Sequence, residues 1–134
     1  MLFHTDATAP EKKRFINGFI KALELAKADG TNQVLFKIST LTSLGGIVAE
    51  SLGEDFAKAF SKNRTAKFGR VEFFLETEKI TSTFNQGIAF TPFAPEKLLS
   101  KVHNDERVNG AVYVPGNSSE LESYTQEYTD SKAL

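Results

Sequence analysis

The chain has no cysteine and no tryptophan, and among its 134 residues there are only two histidines, one methionine and four prolines. Without cysteine there are no disulfides, no thiol nucleophile and no cysteine-ligated zinc, a composition that fits a reducing compartment. With only His4 and His103 present, a histidine-built metal site is nearly excluded. A Ser-His-Asp triad could draw only on His103, and no G-x-S-x-G elbow accompanies it. The chain also lacks the G-x-x-x-x-G-K-[ST] phosphate loop, the G-x-G-x-x-G fingerprint and H-E-x-x-H. No motif points to a particular family, and no cofactor is expected.

Charge of one sign is missing too. The net charge is −1 and the isoelectric point about 6.1, which gives no general affinity for nucleic acid or an anionic membrane. No apolar run approaches the roughly 20 residues a membrane helix needs. Met1 to Pro10 carries neither the basic nor the apolar segment of a secretory leader. A cytoplasmic protein without membrane attachment is expected.

What is present is enough apolar surface for one core. The 40% hydrophobic content and the length suit a single domain over residues 1–134, its ordered core running from about residue 8 to 129. Twelve phenylalanines stand beside three tyrosines. Phenylalanine has no polar atom to satisfy, so this choice points to a Phe-rich core.

Thr8 and Glu11 have capping-box spacing ahead of Phe15, Ile16, Phe19, Ile20 and Leu23, an apolar stripe at helical spacing that Gly30 ends. Val34 to Ile38 reads as a strand covered on both faces. Leu44 to Leu52 returns to helical spacing, and Gly53 separates it from a further short helix through Phe60. Val71 to Glu76 alternates as a strand, and Gly87 to Phe93 forms another, with Thr81 to Phe84 as a hairpin extension. About ten residues separate those two strands, too few for a helical crossover, so they should be antiparallel if they are neighbours. A helix from Pro95, a strand over Val108 to Val114 and a helix capped by Asn117 complete the chain. The order implies an α/β, Rossmann-like layered fold: a mixed, mostly parallel sheet of about four strands with helices on both faces.

The segment after the first expected strand, Ser39 to Gly46, is the leading small-ligand candidate. Thr40, Thr42, Ser43, Gly45 and Gly46 would offer hydroxyls, close backbone approach and a helix N-terminus to a phosphorylated or polar molecule. Thr91, Asn117 and Ser118 would share that rim if the sheet is parallel. The simpler role for these residues is helix capping and close packing. Lys58, Lys62, Arg64, Lys67 and Arg70 form a local basic segment that could meet nucleic acid or an acidic partner. Glu120, Glu122, Glu127 and Asp130 make the last helix acidic. Glu72, Glu76 and Glu78 read as the solvated face of an edge strand. Together these features favour a non-catalytic binding or regulatory domain that engages a protein partner or associates with itself as a homodimer. A small-molecule or phosphate-binding domain ranks second, and nucleic-acid binding through Lys58 to Arg70 third.

Overall fold

The computed structural model describes residues 1–134. Its strands are β1 (Leu2–His4), β2 (Gln33–Lys37), β3 (Thr65–Phe68), β4 (Val71–Glu76), β5 (Gly87–Pro92), β6 (Val108–Val114) and β7 (Lys132–Ala133). Its helices are α1 (Glu11–Ala28), α2 (Ile47–Leu52), α3 (Glu54–Asn63), α4 (Glu96–His103) and α5 (Ser118–Glu127), with a 3-10 helix at Leu41–Gly45. The strands form one mixed sheet in the order β3-β4-β2-β5-β6-β1-β7. Every pairing is parallel except β3 with β4.

The sheet therefore has seven strands, where the sequence suggests about four. β1, β3 and β7 are two to four residues long, too short to show a period of their own. Two of them lie outside residues 8–129, at the chain ends. The single antiparallel step is present but falls between β3 and β4, across the turn at Gly69 (φ +63°). β4 and β5 are not neighbours; both run parallel to β2 and flank it. Their connection is the irregular segment 77–86, which takes the place of a crossover helix, and Thr81 to Phe84 extends no hairpin. The Thr8–Glu11 capping box does not form either. The Asp6 carboxylate accepts the Thr8 and Ala9 amides instead, and α1 begins after Pro10.

Strand alternation sends the two sheet faces to different partners. Val34, Phe36, Phe73, Leu75, Ile88, Phe90, Val112 and Val114 point to the face covered by α1, α2 and α3. Ten of the twelve phenylalanines belong to or pack against that cluster, so the Phe-rich core is present. α1 lies close to β5 and β6 at Gly18, where a Cβ would stand 2.7 Å from Val114 and 3.0 Å from Phe90. On the opposite face, Leu35, Phe74, Ala89 and Ala111 meet Phe84 of segment 77–86 and Val102 of α4. Tyr113 continues that face to α4 and α5.

Glu76 was expected on a solvated edge. It is only 1% exposed, because β3 covers the edge of β4 and segment 77–86 folds back over the face. Its carboxylate accepts from Lys37 Nζ (3.1 Å), from both terminal nitrogens of Arg107 (3.0 Å each), and from the Ser82 hydroxyl (2.7 Å) and amide (3.1 Å). Arg107 also donates to the Phe84 carbonyl and is held by Asp105 at 2.6 Å. Burial pushes the Glu76 carboxyl up, but the hydrogen bonds from Arg107, Ser82 and Lys37 outweigh it and hold it below the usual range. Arg107 holds Asp105 low as well.

Removing one member of such a group strands the others. Glu76→Ala should lower unfolding free energy by about 3 kcal/mol, measured by urea titration, and Arg107→Ala by a comparable amount. Because the folded carboxyl is depressed, its contribution is complete above the ordinary value of about 4.3 and is lost as pH falls through the lower folded value. A Glu76→Gln protein should therefore show a shallower acid loss of stability than the native chain between pH about 5 and 2.

Candidate functional site

β2, β5 and β6 are adjacent and parallel, so the loops after their carboxyl ends do open on one edge of the sheet. The side chains in those loops are nevertheless spread apart. Thr40 and Thr42 are exposed and bond to each other, hydroxyl to hydroxyl, at 2.7 Å. Gly45 and Gly46 are exposed, with nothing within 4 Å of an added Cβ. The helix they lead into, α2, has only six residues. Thr91 is 1% exposed, and its hydroxyl donates to the Val112 carbonyl, which makes it part of the sheet. Asn117 caps α5 by accepting the Glu120 amide at 2.9 Å, and Ser118 is exposed at the first position of that helix. A hollow of about 230 Å³ does form on this edge between Ser39, Ser43, Pro92 and Phe93. Of the eight residues expected on the rim, Ser43 alone lines it, and the Glu11 carboxylate stands at its wall. That arrangement is poorly suited to phosphate.

The basic segment lies along α3 and the β3–β4 hairpin at one end of the sheet. Lys58, Lys62, Lys67 and Arg70 are exposed, while Arg64 folds back to donate to the Ser61 carbonyl. Lys58 and Lys62 flank a shallow groove that reaches Gly45. Phe56, Phe60 and Phe68, the aromatics of this region, all turn into the core, so no stacking platform for bases accompanies the charge.

A larger cavity, about 380 Å³, lies on the opposite face between α4 and α5. Tyr113 of β6 forms its floor, 2% exposed, with no hydrogen bond to its hydroxyl from the protein. Tyr124 packs on Tyr113 with ring centroids 4.4 Å apart, and Tyr128 packs on Tyr124 at 4.8 Å. The strand-to-helix turn at Phe93, Ala94 and Pro95 closes one side, with Leu99 of α4 beside it. Glu96, Glu120 and Glu127 stand around the mouth. All three tyrosines of the chain therefore line one cavity.

Both histidines support the same wall. His103, at the end of α4, lies 3.2 Å by its Nε2 from the Tyr124 hydroxyl and stacks on Tyr128 at 4.0 Å. His4 bonds Ser131 through Nδ1 and meets Tyr124 edge to face. Burial lowers the pKa of each below the ordinary histidine value. Tyr113 and Tyr124 are pushed above the usual tyrosine range, mainly by burial. The field of Glu120 adds to the Tyr113 shift, and those of Glu127 and Glu96 add to a rise at Tyr128.

Sequence reasoning placed Tyr124 and Tyr128 on the inner stripe of α5 but missed the cavity. Their i, i+4 spacing signals a shared helix face. Nothing local shows that this face meets Tyr113 on β6. Nowhere do histidine and carboxylate side chains gather in a group of three that could hold a metal ion. No helix is long and apolar enough to cross a membrane. Comparison with protein-family models, curated proteins and solved structures finds no match to this chain.

The two lowered histidines have a consequence for stability. The unfolded chain takes up protons near pH 6.5 while the folded chain resists them, so stability should fall as pH drops from about 7 toward 5.5. Urea midpoints across that range should show the loss, and His103→Gln should reduce it. Midpoints that rise or stay level on acidification would contradict the burial of both rings.

Proposed function

We propose that this chain is a non-catalytic binding domain whose ligand occupies the cavity between α4 and α5. The observation that carries this reading is the cavity itself. Aromatic walls, a tyrosine hydroxyl without a protein hydrogen-bond partner and a polar mouth are the composition of a small-molecule site, and about 380 Å³ lies within the usual size range. None of its serine or tyrosine hydroxyls hydrogen-bonds one of its carboxylates, so recognition is favoured over chemistry. The Rossmann-like description fits at the level of layers, a mostly parallel sheet with helices on both faces. The strand order departs from it by placing β1 between β6 and β7, away from the middle of the sheet. The absence of cysteine remains the support for a cytoplasmic setting.

The chain has no tryptophan, so its near-ultraviolet emission comes from tyrosine, and every tyrosine lines the cavity. A panel of fragment-sized aromatic and aliphatic compounds should contain members that change that emission saturably. Ser123→Phe, on the exposed side of the mouth, should abolish the response without unfolding the protein. A panel that leaves the emission unchanged, or a response intact in Ser123→Phe, removes the cavity as the site.

A second reading rests on a separate observation, the free edge of β3. This strand ends the sheet and carries Lys67, with Lys62 and Arg70 at its two ends. Unpaired backbone groups beside basic side chains suit an extended acidic segment of a protein partner, added as an eighth strand. The same charges oppose pairing of two β3 edges, which weighs against a homodimer through this edge. An alternating Glu-Val peptide should slow amide exchange at Thr65 to Phe68, and Lys67→Glu should cancel the effect. Unaltered exchange in the native chain would defeat this reading.

A further inference from the structure

We infer that the ligand of the α4–α5 cavity is a small organic cation, an alkylammonium or guanidinium compound, held between tyrosine faces and three carboxylates. The inference rests on the reading of that cavity as the binding site and adds the charge and class of what enters it.

The lining supplies the first support. Glu96, Glu120 and Glu127 belong to it, and no lysine, arginine or histidine does. These carboxylates come from two helices, α4 and α5, so they approach the opening from both sides. Lys97 and Lys101 stand in an adjoining groove that shares Glu96 and Glu127, and Arg14 packs over the Phe93 ring at 5.9 Å. Neither arrangement puts a positive charge inside the cavity.

The walls supply the second. The face of a tyrosine ring is the negative end of its quadrupole, and cations gain most from it where water is excluded. Tyr113, Tyr124 and Tyr128 form a continuous run, with interplanar angles of 33° and 44°. Tyr113 and Tyr124 are almost wholly buried at its base. A cation there would meet the tyrosine wall where the cavity exposes it while its charge is balanced at the mouth.

A third support comes from the field at the tyrosine hydroxyls. Glu120 acts on the Tyr113 hydroxyl, and Glu127 and Glu96 on that of Tyr128, in each case disfavouring a negative charge. A field that penalises a phenolate favours a cation at the same place, by the same Coulomb interaction. It also disfavours a carboxylate or phosphate ligand. The two histidines behind the wall resist protonation, so they add no opposing charge at neutral pH.

Free cations of ordinary size test the inference on the whole chain. Tetramethylammonium, n-butylammonium and methylguanidinium, each titrated separately, should perturb the tyrosine emission and the tyrosine ring resonances saturably. Tert-butanol and pivalate, of similar shape but neutral and anionic, should not. Glu120→Gln and Glu127→Gln should each weaken the cation response about fivefold at low salt, since about 1 kcal/mol attends a unit charge 4 Å away in water. Tyr128→Phe should keep the response, since the ring remains, and Tyr128→Leu should weaken it. Equal responses to tert-butanol or pivalate would overturn the cation while leaving the cavity as a site. Silence from every probe would overturn both. A response to a lysine-containing peptide but not to any free cation would overturn the small ligand and assign the cavity to a partner's side chain.

Discussion

A single buried carboxylate governs how the chain crosses its own sheet. Glu76 ends β4 on the face opposite the phenylalanine core, and after ten intervening residues the chain must begin β5 on the far side of β2. No helix makes that crossing. An irregular segment lies across the sheet instead, tied down where Ser82 and Arg107 converge on Glu76 and where Arg107 holds the Phe84 carbonyl. Charges out of water are costly, and removing one partner leaves the rest uncompensated. The group is tolerable because each oxygen of Glu76 is multiply bonded and Lys37 and Arg107 balance Glu76 and Asp105. With segment 77–86 anchored, β5 pairs beside β2, and α4 is delivered to the same face for the next connection.

The two faces of the sheet consequently do different work. One is closed by α1 to α3 over a run of phenylalanine, valine and leucine with almost no polar atom. The other is covered piecewise, by segment 77–86, α4 and α5. Its buried groups include Glu76, Thr91 and Tyr113, which carry hydrogen-bonding atoms into the interior. The gap between α4 and α5 is where that cover is incomplete. Phenylalanine fills the sealed face, and tyrosine lines the open one, since a phenol can pack its ring while presenting its hydroxyl to a wet cavity.

Charge follows the same geography. Basic side chains collect at the β3 end of the sheet, and the exposed carboxylates of α5 lie over its other half. The near-neutral total conceals this separation. The rim after β2, by contrast, has hydroxyls without a gathered cradle, because the 3-10 helix and the short α2 hold them outward.

What the residues alone determined was whatever local geometry can report. The periodicities of α1, α3 and β4 and the Asn117 cap were legible because 3.6- and 2-residue spacing records which side of an element is buried. The use of phenylalanine as core, and the exclusion of cysteine chemistry, needed composition only. The order of strands, the burial of Glu76 and the meeting of Tyr113 with Tyr124 and Tyr128 were decided by tertiary structure. Glu76 looked solvated because it falls in alternation with Glu72 and Glu78, as on one charged strand face. Its actual partners, Lys37 and Arg107, lie 39 and 31 residues away in the chain. Strand pairing and desolvation depend on which distant segments cover a face, and a pattern read along the chain carries no record of what lies across it.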